Sequence, residues 1–257
     1  MFDHGIDAGD TSVVRSNGLL SSLFRRRQVW LPTLWGWLVL LIFGAAAVVV
    51  IASGANGFLA PNEPAVGKDG TGARILVVEG WMHETDLDQA VAAFRRGRYE
   101  RVVTTGGPVE SWGDSHAWKS FAERAASYLK DHGLADVPVV AVPAPASTKE
   151  RTFISALMVR EWAQRSGVGL DVIDLFSASV HARRSRLLYR MALGNSAQVG
   201  VLSSWPHDFD PEHWWTTSSG TKLVIGETLS LIWTKCCFWP AAPDSHEERW
   251  GIPRSPK

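Results

Sequence analysis

One histidine and four arginines crowd the stretch Ser177–Arg190, SASVHARRSRLLYR, directly after the apolar segment DVIDLF. Guanidinium groups grip phosphate or carboxylate in a fork, and an imidazole can donate a hydrogen bond or move a proton near neutral pH. If a helix starts here, its free N–H groups and its dipole favour an anion, so arginines in its first turn oppose that dipole. A helix built only for stability would carry acids at that end. The misfit points to a bound anion: Arg183 or Arg184 could grip phosphate or carboxylate, and His181 could donate a hydrogen bond or act as general acid. Arg186 and Arg190, four residues apart, read as an ordinary solvated helix face.

Such a site needs elements to hold it, and the chain supplies them in alternation. ARILVVEG (Ala73–Gly80) is a short continuous apolar run, as expected of a strand buried on both faces. TDLDQAVAAFRRGRY follows with helical spacing at Leu87, Ala90, Val91 and Phe94, and Thr85 with Asp88 resembles a capping box. Further strands are read at Arg101–Gly107, Val137–Pro143, Asp171–Ser177 and Ala197–Ser203. Between them lie helical segments, including SHAWKSFAERAASYLKDHG with Trp118 and Phe121 facing inward, and RTFISALMVREWAQRSG. This alternation predicts an α/β fold: a Rossmann-like open parallel sheet of about five strands with helices on both faces.

In such sheets ligands bind outside the carboxyl ends of the strands. The candidates are therefore the residues just after each strand: Glu79, Gly80 and Trp81; Thr104, Thr105, Gly106 and Gly107; the segment from Ser147 to Thr152; and Ser177, Ser179 and His181. Gly106 and Gly107 would let backbone N–H groups approach a ligand, although the pair lacks the G-x-G-x-x-G phosphate fingerprint. The loop HDFDPEH offers His207, Asp208, Asp210, Glu212 and His213, but a polar loop of this kind reads as solvated, and no metal site is expected. No cofactor can be named.

The strongest single feature is apolar. From Gln28 to Asn62 there is no charged residue, and LWGWLVLLIFGAAAVVVIASG is long enough to cross a bilayer as a helix. Arg25, Arg26 and Arg27 precede it, Trp30, Trp35 and Trp37 mark one end, and no basic excess follows. The expected order is a cytoplasmic disordered tail (1–28), a transmembrane signal anchor (29–53), a Gly/Pro/Asn-rich linker (54–72), an extracytoplasmic α/β domain (73–240) and a disordered tail (241–257). A cleaved signal peptide would have a shorter apolar region and leader, and a core helix would have a polar face. The late apolar segment TKLVIGETLSLIWTKCCFW contains Glu227 and Lys235, and reads as a helix packed on the sheet rather than a second span.

Global electrostatics excludes little else. With 26 basic and 26 acidic side chains among 257 residues, nothing draws the chain to nucleic acid. The expected partners are a lipid bilayer and an anionic small molecule. Cys236 and Cys237, adjacent in sequence, form no disulfide framework or zinc spacing and read as small apolar packers.

The ordered set ILVVEGW, RVVTTGG, a Ser/Thr-containing segment ending ERTFISA, and a hydrophobic strand leading into S-x-x-x-H-x-x-R resembles the YdcF-like family of bacterial envelope factors, over about Ala73–Phe238. The family pattern N-T-x-E-N-A is matched at Thr152 and Ala156 and departs at Arg151, Ile154 and Ser155. The resemblance implies roles for His181, Arg184, Thr152 and Glu227. It also implies an envelope function involving phosphorylated polyprenyl carriers, or alternatively binding of an S-adenosylmethionine-like or nucleotide-like ligand. Glu227 has independent support, since an acid in an apolar helix is costly unless paired.

Overall fold

The computed structural model describes residues 31–109, 118–147 and 150–241. The expected tails, Arg25–Arg27, Trp30, and Thr148 and Lys149 of the third candidate segment lie outside these residues. The chain divides into two compact units, Met1–Ala47 and Val48–Lys257.

An uncharged helix, α1 (Leu34–Leu59), comes first. At 1.5 Å per residue its 26 residues measure about 39 Å, more than the ~30 Å of a hydrocarbon core. It is long and apolar enough to cross a membrane, and its apolar side chains are exposed. The helix outruns the expected span and takes in GANGFL, read from sequence as linker. The reason is tertiary: Leu59 is buried with Phe209, Trp214, Val224 and Leu231, and Ala52 and Ala55 pack against the same cluster. Packing overrides the weak helix propensity of Gly54, Asn56 and Gly57.

The rest of the expected linker is also tied down. Glu63 exchanges two backbone hydrogen bonds with Val201, at 2.8 and 2.9 Å. Ala65 N–H donates to the buried Asp174 carboxylate at 2.6 Å, and Tyr99 Oη donates to the same group at 2.7 Å. The segment thereby covers the outer strand of the sheet, an edge that would otherwise offer free backbone groups.

The α/β elements are β1 (Ile75–Glu79), α2 (Glu84–Arg96), β2 (Arg101–Gly106), α3 (Phe121–Leu129), β3 (Val139–Pro143), α4 (Arg151–Ser166), β4 (Val172–Ser177), α5 (Ala182–Leu193), β5 (Gln198–Ser203) and α6 (Ser218–Cys236). All five strands are parallel, in the order β3-β2-β1-β4-β5. Successive strand side chains point to opposite faces. Ile75, Val77, Ile173 and Leu175 pack with α4 and α5 through Phe153, Leu157, Leu188 and Tyr189. Leu76, Val78, Val102 and Phe176 pack with α2 and α3 through Leu87, Phe94, Ala125 and Leu129. The fold is thus the expected Rossmann-like one, with an amino-terminal apolar helix.

Local details differ from expectation. The cap of α2 is His83, reciprocated by Asp86, not Thr85 with Asp88. Helix α3 is short and starts from a Ser120–Glu123 capping box, which leaves Trp118 outside it and 40 % exposed. Cys236 and Cys237 are exposed, with their sulfurs paired, so they are not core packers.

Candidate functional site

Strand order reverses direction at β1, so a crevice is expected at the carboxyl ends of β1 and β4. There Glu79, the last residue of β1, is only 2 % exposed. Ser177, the last residue of β4, donates a hydrogen bond to Glu79 Oε2 at 2.5 Å, and Ser185 of α5 donates to both carboxyl oxygens, at 3.1 and 3.2 Å. Burial pushes the Glu79 carboxyl above its ordinary range, against the opposing pull of Ser177, His181, Ser185 and Arg184.

A second buried carboxylate answers it from α6. Glu227 lies against Arg184, with Nε donating to Oε2 at 2.8 Å and Nη2 to Oε1 at 3.2 Å, the two-point fork of a strong pair. His181 Nδ1 reaches Oε1 at 3.0 Å. Burial alone would raise Glu227, but the bonds from His181 and Arg184 outweigh it and hold its carboxyl down at about 2. The arginine at the start of α5 is thereby explained within the protein: the anion that compensates it is Glu227.

An ionised Glu227 only accepts, so His181 carries a proton on Nδ1. In the neutral ring, Nε2 is then a bare base; in the charged ring it is a donor. No hydrogen bond reaches Nε2 among the described residues. Trp81 closes one side, its ring meeting the imidazole edge-on with centroids 5.0 Å apart. Arg184 uses two of its five N–H groups on Glu227, which leaves others for a ligand.

Sequence reasoning missed two contributors, Ser185 and Tyr189, while Glu150 and Ser179 fall within the candidate segments after β3 and β4. Ser185 is one turn after His181 and was hidden by the arginines around it. Tyr189 is fully buried behind Glu79, and burial raises its phenol far above the ordinary value. Its hydroxyl and the Thr105 hydroxyl are enclosed without a well-formed hydrogen bond. Glu150 immediately precedes α4 in a left-handed conformation (φ 42°), half-buried, raised by burial and opposed by the charge of Arg184. Ser179 is also left-handed (φ 38°), and its buried hydroxyl has no partner. Non-glycine residues held this way cost about 1–3 kcal/mol each and concentrate at functional sites.

Other expected residues serve the frame. A Cβ at Gly80 would fall 2.3 Å from the Phe121 carbonyl oxygen, and one at Gly106 (φ 156°) would fall 2.8 Å from Phe121 Cβ. These glycines let the strand ends press against the start of α3. Gly107 accepts a backbone bond from Phe121 at 2.9 Å. Thr152 is half-buried in the first turn of α4, and no hydrogen bond joins it to the His181 group among the described residues.

Arg183 turns away from Glu227. It donates to the Phe58 carbonyl at the end of α1 and lies 4.2 Å over that residue's ring, a favourable place for a cation on helix carbonyls. Arg186, read as solvated, instead bonds the Val199 carbonyl at 2.8 Å and Glu63 at 2.5 Å. Of the four arginines only Arg190 is an exposed surface residue. The HDFDPEH loop holds a local Asp210–His213 contact at 2.7 Å, and no group of three potential metal ligands forms among the described residues.

A broad open concavity lies at the opposite, amino-terminal end of the sheet, bordered by Asp69, Arg74, Glu100 and Gln198. It is remote from the reacting-type groups, and its Arg74–Glu100 pair is solvent-exposed. The carboxyl-end crevice is the better candidate because it gathers two buried carboxyls shifted in opposite directions, an oriented imidazole and enclosed hydroxyls without a partner among the described residues. Comparison with protein-family models, curated proteins and solved structures finds no match for this chain.

Proposed function

We propose that this chain is a membrane-anchored, YdcF-like protein of the cell envelope whose α/β domain, outside the cytoplasm, binds a phosphorylated ligand of the polyprenyl-phosphate type. The observation that carries this reading is the Glu227–His181–Arg184 cluster at the strand-order reversal. With His181 protonated, the cluster of two cations and one carboxylate has a net charge of +1, and it retains donors at His181 Nε2 and on the Arg184 guanidinium. A phosphate group suits both the charge and the donors. A helix able to cross a bilayer, directly before the domain, would confine the crevice near lipid carriers.

Binding without turnover is favoured over hydrolysis by one observation. The hydroxyls that flank His181 in the chain are not presented as nucleophiles: Ser177 and Ser185 are buried and committed to Glu79, and the Ser179 hydroxyl is enclosed. The same crevice would then serve a nucleotide-like or S-adenosylmethionine-like molecule as the alternative ligand.

Calorimetric titration of the full chain in nanodiscs with undecaprenyl phosphate, a nucleoside diphosphate and S-adenosylmethionine separates these readings. The lipid phosphate should bind, and His181→Ala should weaken it by at least about tenfold. Equal binding by wild type and His181→Ala would remove the crevice from the account. Release of inorganic phosphate would replace binding with catalysis.

A further inference from the structure

Helix α6 buries one face and leaves the opposite one bare. Val224, Glu227, Leu231 and Thr234 are buried. Ile225, Leu229 and Ile232 are 48, 62 and 55 % exposed, and steps of four and three residues place them on one stripe. The only acid of the helix, Glu227, is turned inward to Arg184, so the outer surface carries no negative charge. Lys222 and Lys235, both exposed, are the charged residues that accompany the stripe. Trp215 and Trp233 are also exposed, at 43 and 40 %. An apolar stripe with basic flanks and amphipathic aromatics is the pattern of a helix lying in a membrane interface.

The place of this helix in the domain supports the same occupant. A 3₁₀ turn, Trp214–Thr216, stands just before α6. Trp214 Nε1 donates to the Ala52 carbonyl of α1 at 2.9 Å. Ala52 is where the apolar run of α1 ends, and Val48, Val49, Val50 and Ile51 just before it are 63–71 % exposed. Val224 and Leu231 share a buried cluster with Leu59, and Ala52 and Ala55 pack against it. The inner side of α6 is thus packed with the last turns of α1, at Ala52, Ala55 and Leu59.

We propose that the outer face of α6, with Trp215 and Trp233, docks into the headgroup–acyl boundary of the bilayer that α1 crosses. This rests on the membrane-anchor part of the functional reading and is independent of the ligand. A second copy of the chain is a poorer occupant, because two such faces would bring Lys222 and Lys235 against their own copies without an acid between them.

The full chain in phosphatidylcholine–phosphatidylglycerol vesicles, containing a phosphatidylcholine with a diazirine on its acyl chain, tests this. After irradiation and trypsin digestion, the peptide Leu223–Lys235 should carry lipid adducts about tenfold or more above Ile75–Arg95, which spans β1 and α2. Replacing both Leu229→Asp and Ile232→Asp, on the exposed stripe, should reduce the adducts to the Ile75–Arg95 level while circular dichroism is unchanged. Adducts on Gln28–Lys68 but none on Leu223–Lys235 would overturn the docking and leave the anchor standing. No adducts on either would overturn both. Cross-linked pairs of Leu223–Lys235 without lipid adducts would assign the face to a second copy instead.

Discussion

Glu79 and Glu227 are the same residue type, both are buried, and both lie beside His181 and Arg184, yet the protein holds them in opposite ways. Glu227 receives two charge-assisted partners and stays ionised down to about pH 2. Glu79 receives only hydroxyls, and burial raises it. Two carboxyls pushed apart by their surroundings are a usual basis for dividing acid and base roles. Here Glu227 fixes the imidazole, and Glu79 is the carboxyl inclined to keep its proton.

The comparison makes its largest demand at Glu227. Replacing it with Ala strands a mostly buried Arg184, at a cost of about 3 kcal/mol. For a domain of this size that is a fall of about 6–12 °C in melting temperature, read by circular dichroism. The contribution of Glu227 is complete above its ordinary value of 4.5 and is lost as pH falls toward about 2, so wild type and variant should converge in acid.

Glu79 should show the reverse. Its raised pKa makes its contribution complete below 4.5 and lost as pH rises through the folded value. Glu79→Gln, which keeps an uncharged side chain of the same size, should therefore be neutral or mildly harmful in acid. It should be more stable than wild type at alkaline pH, seen as a crossing of the two melting-temperature curves. Parallel curves for Glu79→Gln and Glu227→Ala would end the contrast.

The smallest effect belongs to Arg190. Exposed and away from both carboxyls, Arg190→Ala should change stability by less than about 0.5 kcal/mol, against a loss of about 3 kcal/mol for Glu227→Ala. If Arg190→Ala costs as much as Glu227→Ala, the basic stretch acts as a whole rather than through Arg184.

The legibility of the sequence follows the same division between local and non-local causes. Strands such as ILVVE and VIDLFS are continuous apolar runs ended by small or polar residues, and alternation with amphipathic helices left one fold class. His181 and Arg184 were legible because chemistry and position coincided after a strand. That Arg184 would be answered from α6 depended on a contact 43 residues away, which spacing alone does not encode. Ser185 and Tyr189 looked like ordinary helix residues until the register of α5 put them beneath Glu79. The extension of α1 through GANGFL and the anchoring of Glu63 and Ala65 depend on surfaces supplied by Trp214, Val201 and Asp174, more than a hundred residues later.

The opposite ionisation of the two carboxyls can be observed directly. Carbon-13 resonances of labelled glutamate side chains, assigned with Glu79→Gln and Glu227→Gln, report each carboxyl across a pH titration. Glu227 should remain ionised throughout and begin to titrate only near pH 2, while Glu79 titrates above the ordinary glutamate range. Two carboxyls titrating together near 4.5 would contradict the account.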